Sequence, residues 1–104
     1  MSLPVRFERE ADVEYSEAAR WYEDRRRGLG LEFLQAVDAS IEQVLAFPTS
    51  GAAVNGVPVD LQVRRLPVKR FPFHIIYLQS ETELRVLAVA HDRRSPGYWQ
   101  HRVS

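Results

Sequence analysis

"READVEYSEAARWYEDRRRGLGLEFLQAVDASIEQVLAF", residues 9–47, decides the fold of this chain, because its apolar residues keep helical spacing through two segments with one break. Ala11, Tyr15, Ala18 and Tyr22 recur at steps of three and four and make a narrow stripe, with Ala19 beside it. Acidic residues crowd the first turns and Arg25, Arg26 and Arg27 the last, an order that complements a helix dipole. "GLG" (28–30) ends this helix, since glycine accepts the left-handed backbone common just past a helix. A second helix is predicted from about Leu31 to Phe47, where Leu34, Val37, Ile41 and Val44 repeat at three and four with Phe33 and Leu45 in support. Pro48 stops it. So short a link predicts an antiparallel hairpin, and two narrow stripes need a sheet to cover them.

The flanking segments supply that sheet. "PVRFE" (4–8) alternates and suits a short strand, whereas "PTSGAAVNGVP" (48–58) reads as a loop. "VDLQVRRLPVKRF" (59–71) begins with Val59, Leu61 and Val63 on one face and Asp60, Gln62 and Arg64 on the other. Its parity flips at Leu66 and Val68, which predicts a bulge or bend after Arg64–Arg65, with Pro67 at an edge or at that irregularity. "FHIIYLQ" (73–79) and "LRVLAVAH" (84–91), joined by "SETE", form a hairpin. Both are apolar on both faces, so both faces are covered. The hairpin stripe (Leu34, Val37, Ile41, Val44) is expected against Ile75, Leu87 and Val89 or their opposite-parity neighbours. The second face needs the C-terminal tail or another protein. The fold class is therefore α+β: an N-terminal strand, then an antiparallel helix hairpin on a mainly antiparallel sheet, ending in a three-stranded meander.

Composition narrows the function. The 104 residues read as one domain, 1–104, and 45% hydrophobic with 27% charged is an ordinary globular balance. No apolar run nears the roughly 20 residues needed to cross a bilayer, and "MSLPVRFERE" holds no secretory signal, so no membrane role is expected. With no cysteine there are no disulfides or thiolate metal sites, which agrees with a cytoplasmic location. The zero net charge hides an asymmetry: Asp and Glu dominate residues 1–60, Lys and Arg residues 61–104. A basic half of this kind attracts nucleic acid or an acidic partner.

Taken in order, the helical hairpin "EAARWYE…GLGLEFLQAVDASIEQVLAFP", the middle strands "VRRLPVKRFPFHIIY" and the ending "VLAVAHDRRSPGYW" resemble the toxins of bacterial RelE/ParE type II toxin–antitoxin modules, often described as plasmid stabilisation proteins. The resemblance covers almost the whole chain. It implies a protein that arrests growth when free and is silenced by a cognate antitoxin, which would be its only link to DNA. Two targets are open, because RelE-like members cut mRNA on the ribosome and ParE-like members inhibit DNA gyrase.

The residues must choose between them. A metal-free ribonuclease needs a base, cations for the phosphorane charge, and an acid for the leaving oxygen. By resemblance, the RelE-like basic positions fall near Arg65, Pro67, His74 and Asp92, and the tyrosine at Tyr98. Only Arg65 and Tyr98 keep suitable chemistry, since proline carries no charge and aspartate repels phosphate. A substitute set is His74 or His91 as acid or base, Arg93 or Arg94 on the phosphate, and Tyr98 stacked on a base. The plainer roles are a strand-end cap for His91 and, after Pro96–Gly97, rings of Tyr98 and Trp99 folded back on the sheet. His74, His91, Asp92 and His101 match no metal-ligand spacing, and no metal or cofactor is expected. The cations Arg64, Arg65, Lys69, Arg70, Arg93 and Arg94 read instead as a partner-binding edge. The ParE-like, non-enzymatic reading leads, the RelE-like nuclease acting on ribosome and mRNA is the alternative, and a third class is a module that only binds its antitoxin.

Overall fold

The hairpin forms where the spacing places it. In the computed structural model, which describes residues 3–103, α1 spans Arg9–Arg25 and α2 spans Leu29–Ala46. Gly28 joins them at φ +91°, in the left-handed region. Arg26 and Arg27 fall outside α1, and α2 starts two residues before the predicted Leu31. The reason is Glu23 of α1, whose carboxylate accepts the N–H groups of Gly28 and Gly30 at 3.0 Å each, capping α2 from outside. Those bonds, Gly28 first, hold the Glu23 carboxyl below its ordinary range. A Cβ on Gly30 would lie 2.6 Å from the Ala19 carbonyl, so the two helices touch at a distance only glycine permits.

Five strands make one sheet: β1 (Val5–Phe7), β2 (Ala52–Ala53), β3 (Val63–Pro67), β4 (Phe73–Gln79) and β5 (Leu84–His91). Their order is β1-β5-β4-β3-β2, with β1 parallel to β5 and all other neighbours antiparallel. The α+β class therefore holds. Within the predicted loop 48–58, Ala52 and Ala53 pair with Arg65 and Arg64 and add a short edge strand.

Three expectations are corrected. Val59–Leu61 is a single 3-10 turn rather than the start of a strand, and Gln62 follows it at φ +31°, a left-handed kink that alternation cannot reveal. The side chain of Val59 lies outside the described residues. No bulge follows Arg64–Arg65, because β3 pairs with β4 without a shift from Val63 to Pro67. Its change of parity means that Val63 serves one face of the sheet and Leu66 the other. The irregularity sits between β4 and β5, where Ile76 pairs with Ala88 and Tyr77 with Val86, leaving Leu87 as the extra residue. Leu87 consequently turns away from the helices, while Ile75 and Val89 pack under them.

Two apolar layers result. Phe33, Val37, Ile41 and Val44 of α2 join Ile75, Tyr77, Val86 and Val89 on the helix side, with Leu34 half-buried at the margin. On the opposite side Trp99, 3% exposed, covers Val63, Ile76, Leu87, Ala88 and Ala90. The tail is thus the cover that the two-sided strands require. An aromatic side chain removes about 150–250 Å² from water, worth about 4–6 kcal/mol at most.

Candidate functional site: the cleft between α1, the end of β5 and the tail

β1 pairs only with residues 84–86, so β5 runs on without a neighbouring strand on that side. Side chains close the first part of this edge. Glu14 of α1 accepts the Val89 N–H at 3.1 Å, and Arg102 donates to the Leu87 carbonyl at 3.0 Å. Glu14 and Arg102 bind each other at 2.9 and 3.1 Å, and the Tyr98 hydroxyl donates to Glu14 at 2.7 Å. The Arg102 side chain is only 7% exposed. Burial first, and then the Glu14 carboxylate, push the Tyr98 phenol far above its usual pKa. The Tyr98 hydroxyl proton is engaged by the Glu14 carboxylate.

Beyond this lock the edge opens into a cleft of about 600 Å³. Ala18, Trp21 and Tyr22 of α1 form one wall; Phe73, Val89, His91, Arg94 and Tyr98 form the other. Arg25 stacks over the Trp21 ring and Arg94 over the Tyr98 ring, each at 4.0 Å. His91 accepts the Arg93 N–H through Nδ1 at 3.1 Å and sets its ring edge-on to Phe73. The strand-end cap anticipated for His91 is what the geometry gives.

A second, smaller cavity of about 180 Å³ lies on the opposite face of the sheet, lined by Arg65, His74, Ile76, Trp99 and Gln100. His74 meets Asp92 through Nδ1 at 2.9 Å. A carboxylate can only accept, so His74 Nδ1 is the donor of this bond. The five residues named for nuclease chemistry thus divide. Arg65 and His74 share this cavity, whereas His91, Arg94 and Tyr98 share the cleft. Pro67 ends β3 opposite His74 and brings no charge.

The basic residues also separate. Arg64 donates to the Gly51 carbonyl, Lys69 and Arg70 lie beside α2, and Arg93 and Arg94 sit in the turn after β5. Arg85 and Arg102 are spent on Glu8 and Glu14. His101 bonds Glu10 at 2.8 Å, and among the described residues no group of three or more His, Asp or Glu is placed to hold a metal. No helix is long and apolar enough to cross a membrane among the described residues. Glu14, Trp21 and Arg102 escaped the sequence reading. Glu14 and Arg102 are 88 positions apart, and nothing local marks either.

No curated protein sequence matches the chain. Among solved structures it is similar to a chain of the "Chromosomal ParDE TA system from P. aeruginosa", with a TM-score of 0.69 and 16% identity over 86% of this chain and 96% of that one. At that identity the likeness establishes the fold. The family described as "ParE toxin of type II toxin-antitoxin system, parDE" matches residues 5–96. With the match running from β1 through the turn after β5, the chain belongs to the ParE toxin family.

Proposed function

We propose that this toxin acts in the cytoplasm by inhibiting DNA gyrase without chemistry of its own, and that a cognate antitoxin silences it. The observation that carries the reading is the division of the nuclease candidates between two sides of the sheet. Base, cation and acid must converge within hydrogen-bond reach of one phosphodiester. Here Tyr98 is held by Glu14, and Asp92 is engaged with His74. Removing one transition-state donor typically costs about two to three orders of magnitude in rate, so a set this incomplete leaves little cleavage. Arg93 and Arg94, without ion-pair partners among the described residues, are the contacts offered to the target.

One observation favours the alternative. Asp92 orients His74 beside Arg65, which is a base and a cation in one cavity. The test covers both readings: brief expression with genome-wide mapping of mRNA 5′ ends, and gyrase supercoiling with purified protein. Inhibited supercoiling that is lost in Arg93→Ala/Arg94→Ala supports the proposal. Codon-periodic cleavage that vanishes in His74→Ala, His91→Ala or Tyr98→Phe, with gyrase unaffected, replaces it by the nuclease.

A further inference from the structure

The chain holds a single asparagine, Asn55, and a glycine follows it. Asparagine is among the thermally labile residues, and its surroundings decide whether that lability is expressed. Both residues are exposed in the segment between β2 and the 3-10 turn. Gly56 takes φ +87°, and a Cβ placed on it would meet only Gln100 Nε2, at 3.4 Å, so its main chain is open to approach. Among the described residues neither the Gly56 N–H nor the Asn55 side chain has a hydrogen-bond partner, whereas the Gly56 carbonyl accepts from Gln100 Nε2 at 3.4 Å. Closing the Gly56 nitrogen onto Asn55 Cγ makes a five-membered ring. Nothing else competes for either group, and no strand ladder restrains them.

The reaction balances with water as its only co-reactant. The Gly56 nitrogen bonds to Asn55 Cγ, the Cγ–Nδ2 bond breaks, and Nδ2 leaves as ammonia with the proton lost from Gly56. Water then opens the succinimide at either carbonyl. Addition at Cγ releases the Gly56 nitrogen from it and gives aspartate on an unchanged main chain. Addition at the Asn55 main-chain carbonyl gives isoaspartate, whose main chain runs through Cγ and is one methylene longer. Attack needs the deprotonated amide nitrogen, so the rate rises with pH.

Either product adds one negative charge to a formally neutral chain, and the setting of that charge is defined. Asn55 lines the cavity shared by Arg65, His74, Gly97 and Gln100. Arg65 has no carboxylate partner among the described residues, so a carboxylate at position 55 gains a charge-assisted contact there. Val54 and Val57, on either side of the pair, pack on the layer beneath Trp99. The longer isoaspartate main chain also draws the Gly56 carbonyl away from Gln100, which ties this segment to the tail.

We infer that Asn55–Gly56 is a self-modification site, at which the protein converts its one asparagine to aspartate and isoaspartate and so places a carboxylate in the cavity of Arg65. The conversion needs no enzyme and does not reverse, so it separates a chain that persists from one newly made. It acts on the sheet face opposite the cleft and stands whichever target the toxin has.

The test incubates the purified full chain at mildly acidic and mildly alkaline pH and follows it by peptide mapping. Aspartate and isoaspartate should appear at position 55, faster at alkaline pH, with ammonia released in equal amount. No aspartate of the chain precedes a glycine, so isoaspartate reports this site. An exposed segment opens at almost no cost, so the rate should lie within about ten-fold of that of the free peptide AAVNGVPVD, residues 52–60. Asn55→Gln, which would have to close a six-membered ring, should stay unmodified over the same period. Asn55→Asp supplies the charge without the longer main chain. The Arg65 Nε–H resonance should move in the aged protein and in Asn55→Asp alike, and the Gln100 side-chain amide only in the isoaspartate fraction. Conversion more than about ten-fold slower than in the peptide, or equal at both pH values, overturns the self-modification site. Conversion that leaves the Arg65 resonance unmoved, in the aged protein and in Asn55→Asp, overturns the placement of the carboxylate.

Discussion

Replacing Glu14 by glutamine tests the lock on which the cleft is built. Glutamine keeps the shape and still accepts the Val89 N–H, but it leaves the Arg102 guanidinium, 7% exposed, with only the half-exposed Glu10 carboxylate at 3.6 Å as counter-charge. Removing one partner of a buried ion pair costs about 3–5 kcal/mol, because the remaining charge stays desolvated. The Glu14 side chain is 19% exposed at the mouth of an open cleft, where water relaxes part of that penalty. The expected loss is therefore near the lower end, about 3 kcal/mol. By contrast Arg6–Glu83, with side chains 51% and 27% exposed, should lose about 0–1 kcal/mol on Glu83→Gln. Urea unfolding followed by circular dichroism measures both, with midpoints compared at constant slope. In the double variant Glu14→Gln/Arg102→Met neither buried charge remains, and about 2 kcal/mol should return as coupling. A loss below about 1 kcal/mol in Glu14→Gln, or strict additivity in the double variant, would show that the tail is not held by this pair.

Two further outcomes follow from the packing and the caps. Ile41→Ala, at a site 6% exposed beneath the sheet, should cost about 2–5 kcal/mol in the same unfolding assay; under one would mean that the α2 stripe is misplaced. The Glu23 pKa is depressed by the Gly28 and Gly30 N–H groups, so its contribution is full above the ordinary carboxylate value of 4.5 and is lost as pH falls through the lower folded value. The melting temperature should thus fall on acidification below about pH 4.5, and less steeply in Glu23→Gln. Parallel curves for the two proteins would refute the cap.

The hairpin was legible because helical period, Gly28 and Pro48 all point to one arrangement, and Gly30 alone would not have given the close approach to Ala19. The β4–β5 pair was legible as a hairpin but not in register. An extra residue at Leu87 changes which face every later side chain serves, and a strand apolar on both faces carries no mark of the slip. Val59 and Leu61 alternate as a strand does, yet the backbone is already turning there. The site was the least legible part. Tyr98, His91 and Arg94 announced themselves by residue type, but the partners that fix their roles, Glu14, Phe73 and Trp21, come from distant elements.

β1 has a consequence for the order in which the molecule is made. Its neighbour β5 is supplied from the far end of the chain: Glu8 meets Arg85 across 77 positions, and Glu14 meets Arg102 across 88. During synthesis at about 5–20 residues per second, α1 waits roughly 4–18 s between the appearance of Glu14 and that of Arg102. Local contacts close the α1–α2 hairpin within that interval, whereas the edge lock forms only once Arg102 has emerged. A growing chain therefore holds the hairpin for seconds before it holds the site.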